Sequence, residues 1–290
     1  MKFLNMPMLD FRRSENLNLR RALASRNAGL LGIRNGDAKV AVIFVHGFWS
    51  SSLDTWGIAE DRFWPFELGQ EIGADIYCYQ FNSSLGGRAS TSPLSSDQLA
   101  SELGDDLLKL NQYERLFFVT HSYGGIIFKK LVSSLVRRDP LHRECAEKIF
   151  GFSAYSCPNF GHWMGTLISL GRSTVSQSAR ALRLNNKELI ETHENFLVDT
   201  AKLPNLSGMT VGESGYLFRV FRVHEDNSRI ASFPHHVSEH NHRNICRNLA
   251  PDRAEYIWVR DFLAERIAAH GLRKARLTLD PGFLGSSGKS

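Results

Sequence analysis

Apolar residues along this chain gather in short unalternating runs, and amphipathic stretches separate the runs. Lys39 to Val45 (KVAVIFV) is rich in β-branched residues and leads at once into His46-Gly47-Phe48. A run with no polar residue at every second position predicts a parallel strand buried on both faces. Asp75 to Phe81 (DIYCYQF), Arg115 to Thr120 (RLFFVT) and Lys148 to Tyr155 (KIFGFSAY) predict three more strands, and Tyr216 to Val223 (YLFRVFRV) a further one. Helical spacing fills the intervals. It covers Trp64 to Ile72, then Ser95 to Leu110 with Leu99, Leu103, Leu107 and Leu110 on one face and Ser96 as cap, then Gly124 to Val136. Glu255 to Ala269 reads as a last amphipathic helix stopped by Gly271.

Strands alternating with helices require right-handed crossovers and a mostly parallel sheet flanked by helices, an α/β fold. Residues 158–212 carry no strand pattern and a helical stretch near Ala179 to Val198. So long an interval inside a compact domain predicts a helical lid insertion. The expected organisation is a basic N-terminal extension over 1–34, one α/β domain over 35–272 containing the lid, and a tail over 273–290.

Composition narrows the classes. Of 290 residues 42% are hydrophobic, as in a globular protein, which excludes a disordered or collagen-like chain. The longest apolar run, Val40 to Val45, is far short of a membrane span, and the first 21 residues lack the apolar core of a secretory signal. Cys78, Cys145, Cys157 and Cys246 show no CxxC spacing, so reduced thiols in the cytoplasm are expected, with a mitochondrial or membrane-peripheral location as the alternative. The formal charge is only +5, and its basic residues cluster near the two ends, where they can contact an anionic membrane surface. There is no nucleic-acid motif.

Chemistry concentrates at Thr120-His121-Ser122-Tyr123-Gly124-Gly125, directly between a predicted strand and a predicted helix. A serine on that sharp turn is pushed out above the sheet at a helix N-terminus, as a nucleophile requires, and its neighbours must be small. The Tyr123 amide would face a developing oxyanion, and the Phe48 amide after Gly47, with Trp49 as a further candidate, would supply the second donor. His46 reads as a structural loop histidine. Downstream stand His224-Glu225-Asp226-Asn227 and Asn241-His242-Arg243. His242 is the favoured base, and Asp226 is preferred over Glu225 as the acid that orients it. His235, His236, His240 and His242 match no compact zinc spacing, so neither metal nor organic cofactor is expected.

The segments VIFVHGF at 42–48, VTHSYGG at 119–125 and NHRNIC at 241–246 carry a resemblance. The span from Val40 to about Cys246 is similar to the lipase-like branch of the α/β-hydrolases that contains the serine active-site-containing and glycosylphosphatidylinositol-inositol-deacylase-like proteins. In that branch a strand runs into HG, the nucleophile stands in HSxGG and the base in HxN(I/M)C. The resemblance implies Ser122 as nucleophile and His242 as base, and leaves Glu225 and Asp226 both open. The chain departs from the branch at Thr120, where an elbow glycine is usual, and at Ser156 to His162, which matches TPHxGS only loosely.

The function expected is a serine hydrolase of carboxylic esters acting through an acyl-enzyme on Ser122. Phe48, Trp49, Trp56, Phe63, Trp64 and Phe66 read first as core aromatics and second as an acyl-binding crevice for lipid or other apolar esters. An acyltransferase on the same triad and a catalytically silent partner-binding scaffold are the rival readings.

Overall fold

The computed structural model describes residue 23 and residues 29–36, 38–48, 50–57, 62–82, 94–161, 185–216, 223 and 225–279, without the side chains of 225 and 272–279. Seven strands form its sheet: β1 (Gly29–Arg34), β2 (Val40–Val45), β3 (Asp75–Gln80), β4 (Arg115–His121), β5 (Ile149–Tyr155), β6 (Ser207–Glu213) and β7 (His235–Ser238). The spatial order is β1-β3-β2-β4-β5-β6-β7, and only β1 runs antiparallel, against β3. All residues of β2 and β3 are buried, which is why their sequences show no alternation.

The helices are α1 (Ser52–Trp56), α2 (Trp64–Ile72), α3 (Ser96–Leu107), α4 (Tyr123–Arg137), α5 (Pro140–Lys148), α6 (Lys187–Thr200), α7 (Glu225–Ser228) and α8 (Ala254–Leu279). One core cluster takes apolar residues of α3, α4 and α6, and the other takes those of α2 and α8. Ser95, not Ser96, caps α3. Its hydroxyl accepts from the Gln98 amide at 3.2 Å and the Gln98 side chain accepts from the Ser95 amide at 2.9 Å, a reciprocal capping box that Ser96 could not complete.

Four further expectations are corrected. First, the strand beside β5 is Ser207–Glu213 (SGMTVGE), whereas Tyr216 and Val223 are not in a strand and 217–222 lie outside the described residues. Its glycines interrupt the apolar run that marks the other strands. A Cβ on Gly208 would stand 2.2 Å from the Phe152 ring, so that position must stay bare for the strand to dock. Second, the interval 158–212 is not all lid. Helix α6 packs on the core through Phe196, whose ring lies 5.9 Å from Phe128 and 5.8 Å from Phe152, and 162–184 lie outside the described residues.

Third, the end of the presumed N-terminal extension is the edge strand β1, and Leu23 is fully buried. The remaining residues before Gly29, with most of the basic cluster, lie outside the described residues. Fourth, α8 continues through Gly271 to Leu279, into the presumed tail. Gly271 is not in the left-handed conformation that stops a helix, and helix-forming Leu272, Arg273, Lys274 and Ala275 follow it. Among the described residues no helix is long and apolar enough to cross a membrane.

Candidate active site

The C-terminal ends of β2, β4, β5 and β6 share one edge of the sheet, where ligands bind in open α/β folds. Strand β4 ends at His121, and Ser122 follows with φ 52 and ψ −119 before α4 begins at Tyr123. Positive φ in a non-glycine residue is strained and persists only where the surroundings hold the backbone. Here the Ser122 amide donates to Tyr155 O of β5 at 2.9 Å. The elbow is tightly enclosed. A Cβ on Gly124 would lie 2.3 Å from Val45 O, and one on Gly125 would lie 2.6 Å from Cys157 Sγ. Thr120, where the resemblance led one to expect glycine, fits because its hydroxyl turns along the sheet toward Ser153 O at 3.4 Å.

Ser122 Oγ lies 2.9 Å from His242 Nε2, and His242 Nδ1 lies 3.0 Å from Glu213 Oε2. With Nδ1–H donating to the carboxylate, Nε2 keeps its lone pair toward the serine hydroxyl. Glu213 is fully buried at the end of β6. Its Oε2 also accepts the Ser156 hydroxyl at 3.0 Å, and its Oε1 accepts the Val223 amide. Ser122, His242 and Glu213 therefore form one continuous hydrogen-bonded chain.

The structure does not bring the expected acid to the histidine. Asp226 is an exposed residue of the short helix α7, and Glu225 lies in the same turn, while the Nδ1 of His242 is taken by Glu213. The strand next to β5 ends at Glu213, ten residues before Val223, so the carboxylate at that strand tip is Glu213 and not Glu225 or Asp226. Its signal in the sequence is an acid closing a glycine-laced Thr-Val segment.

Two further histidines surround the chain without competing for its proton. His46 donates from Nδ1 to Gly47 O at 2.9 Å, accepts from the Phe81 amide at 3.4 Å and stacks on the Phe81 ring at 3.9 Å. Burial pushes it down to about 4, so it is neutral, and it serves the structural role read from the sequence. His121 donates from Nε2 to the carbonyl of His242 at 2.9 Å, with the two rings 4.8 Å apart. Burial first, and the neighbouring His242 second, hold it well below the usual histidine range. It thus fixes the loop carrying His242 while remaining uncharged.

That loop is pinned from the other side as well. Trp64 Nε1 donates to Cys246 O at 3.0 Å, the Asn248 amide to Trp56 O at 2.8 Å and Arg247 to Asp54 O at 3.0 Å. Phe48 and Tyr123 face each other with ring centroids 5.8 Å apart, and a Cβ on Gly47 would come within 3.1 Å of Ser122 Cβ. The loop after β2 thus touches the elbow. Trp49 lies outside the described residues. Trp56, Phe63 and Trp64 are fully or almost fully buried, and the two tryptophans set their rings edge-on to Phe44 at 5.1 and 5.2 Å, so this stripe is core. His235 and His236 engage Thr210 and Trp258, and His240 faces Glu255. Among the described residues no group of three His, Cys, Asp or Glu side chains is placed to hold a metal ion.

A parallel sheet with a strained serine between strand and helix, and a histidine arriving from a late loop, defines an α/β-hydrolase architecture. The model of the alpha/beta hydrolase family matches residues 42–280. The chain belongs to the alpha/beta hydrolase family. Among solved structures it is similar to the mature lipase BlEst2 of Bacillus licheniformis, with 16% identity, TM-score 0.53, and coverage of 77% of this chain and 94% of that one. It is also similar to phospholipase PlaB of Legionella pneumophila, with 17% identity, TM-score 0.55, and coverage of 77% and 59%. A third likeness is to the metagenome-derived lipolytic enzymes LipS and LipT, with 14% identity, TM-score 0.53, and coverage of 82% and 98%. At these identities the likeness is one of fold. No curated protein sequence matches the chain significantly.

Proposed function

We propose that this protein is a serine hydrolase of carboxylic esters, with Ser122 as nucleophile, His242 as general base and Glu213 as the acid that orients it. The unbroken chain from Ser122 Oγ through His242 to Glu213 carries the reading. Ser122 Oγ attacks the ester carbonyl carbon as its proton passes to His242 Nε2. The amides of Phe48 and Tyr123 stabilise the resulting oxyanion, and buried Glu213 stabilises the imidazolium. Collapse expels the alcohol, which takes the proton from His242. A water molecule then attacks the acyl-Ser122 with the same base and releases the acid.

Lipid or other apolar acyl esters are the substrate class. Lipases, a phospholipase and lipolytic enzymes share the fold, and the half-buried Phe48 ring lies beside the elbow. A fluorophosphonate probe is expected to label the wild type and not Ser122→Ala, and p-nitrophenyl esters are expected to turn over faster as the acyl chain lengthens. Labelling that survives the substitution overturns the nucleophile, and preference for acetate over longer chains overturns the apolar substrate.

A further inference from the structure

Ser156 has no part in the steps above, yet its setting is unusual. It is fully buried at the exit of β5, with φ 46, in the left-handed region where serine is rare. Its amide donates to Val211 O of β6 at 2.7 Å, and its hydroxyl donates to Glu213 Oε2 at 3.0 Å. That oxygen is the one that accepts His242 Nδ1–H, also at 3.0 Å. A strained backbone, complete burial and a hydroxyl aimed at the working oxygen of the carboxylate converge on one residue.

We infer that Ser156 is a positioning residue, which fixes the rotamer of Glu213 and moderates its basicity by sharing the oxygen that faces His242. The inference rests on the reading of Glu213 as the partner of His242. A carboxylate oxygen that accepts two donors carries its charge less exposed than one that accepts a single donor. Removing the Ser156 hydroxyl leaves a more basic oxygen against the imidazole, which favours the protonated ring. Among the described residues the other groups around the pair do not supply a replacement. His121 from β4 is held neutral, and burial pushes the Cys246 thiol of the histidine loop far up. Glu255 at the start of α8 is occupied by Ser238 and Arg253.

The test is an NMR titration of histidine Cε1–H signals in wild type, Ser156→Gly and Ser156→Ala, with His242 assigned by its loss in His242→Gln. Glycine removes the hydroxyl and relieves the positive φ, whereas alanine removes the hydroxyl and keeps it, so the pair separates the hydroxyl from the backbone. The expected result is an upward move of the His242 midpoint by about half a unit in both variants. The acidic limb of kcat/KM should move with it, kcat should fall roughly tenfold at unchanged KM, and Ser156→Gly should melt no lower than wild type. A midpoint that is unchanged or lowered overturns the inference, as does a shift in only one variant. The titration needs no substrate, so a shifted midpoint in a protein that cleaves no ester would reject the hydrolase reading and leave this one standing.

Discussion

The two ends of the Ser122–His242–Glu213 chain are built on different plans. The serine end is local: β4, the turn at Ser122 and α4 are consecutive, and Gly124 and Gly125 admit the neighbouring backbone and Cys157. The acid end is assembled from distant pieces. Glu213 closes a strand whose packing depends on Gly208 fitting against Phe152, and its oxygens are occupied by Ser156, Val223 and His242. A local turn can be read from a few residues, but an assembled one depends on strand order and on partners far away in sequence.

The sharpest challenge to this contrast is a pair of carboxyl substitutions. Glu213→Gln is expected to lower kcat roughly 10³- to 10⁴-fold with little change in the melting temperature, because an amide can no longer hold the imidazole tautomer or its charge. Asp226→Asn is expected to change kcat less than about twofold. Equal losses in the two variants, measured on one ester, would return the acid to α7.

Next come the glycines. Gly124→Ala puts a methyl 2.3 Å from a backbone carbonyl of β2, which cannot move without opening the elbow. It is expected to cost about 3 kcal/mol or more in urea unfolding, whereas Gly208→Ala presses on the Phe152 ring and should cost about 1 to 3 kcal/mol. The reverse order would mean that the acid-bearing strand is the more rigid region. Gly271→Ala, with open space around it inside α8, should stabilise by about 0.5 to 1 kcal/mol.

Between these in size lies a pH effect on the serine side. His46 is neutral in the fold with its value held down to about 4 by burial, against about 6.5 when unfolded. As pH falls below the unfolded value, the unfolded chain binds a proton that the native state refuses. Stability should therefore be full above about pH 6.5 and decline by up to about 3 kcal/mol toward pH 4 from this residue alone. His46→Asn should flatten the slope of urea midpoint against pH, and an unchanged slope would show that His46 is charged in the fold.

Periodicity and the three motifs make β2 to β5, α2, α4, Ser122 and His242 legible in the sequence, because each depends on contiguous residues. Glu213 was not legible for the same physical reason. In Ser207 to Glu213 two glycines, Thr210 and Ser207 break any apolar run, and the strand is recognisable only once Phe152 and His235 are seen to fill the space beside Gly208 and Gly212. Glu225 and Asp226 both lie in α7, whereas the carboxylate that reaches His242 Nδ1 closes β6. The antiparallel partner β1 is not legible either, since Gly29 and Gly32 interrupt the apolar run in GLLGIR and its contact with β3, the Arg34–Asp75 ion pair included, joins residues distant in sequence.

The short segment from His46 to Gly57 has a wider reach than its length suggests. It carries Phe48 to the elbow, and through the carbonyls of Trp56 and Asp54 it holds the Asn248 amide and the Arg247 guanidinium. At Gly57 a methyl would stand 1.9 Å from the Asn248 side chain. In engineering terms the loop after β2 and the loop of His242 are one exchangeable cassette. A graft that re-aims the first must import residues 242–249 with it, or His242 will drift out of line with Ser122.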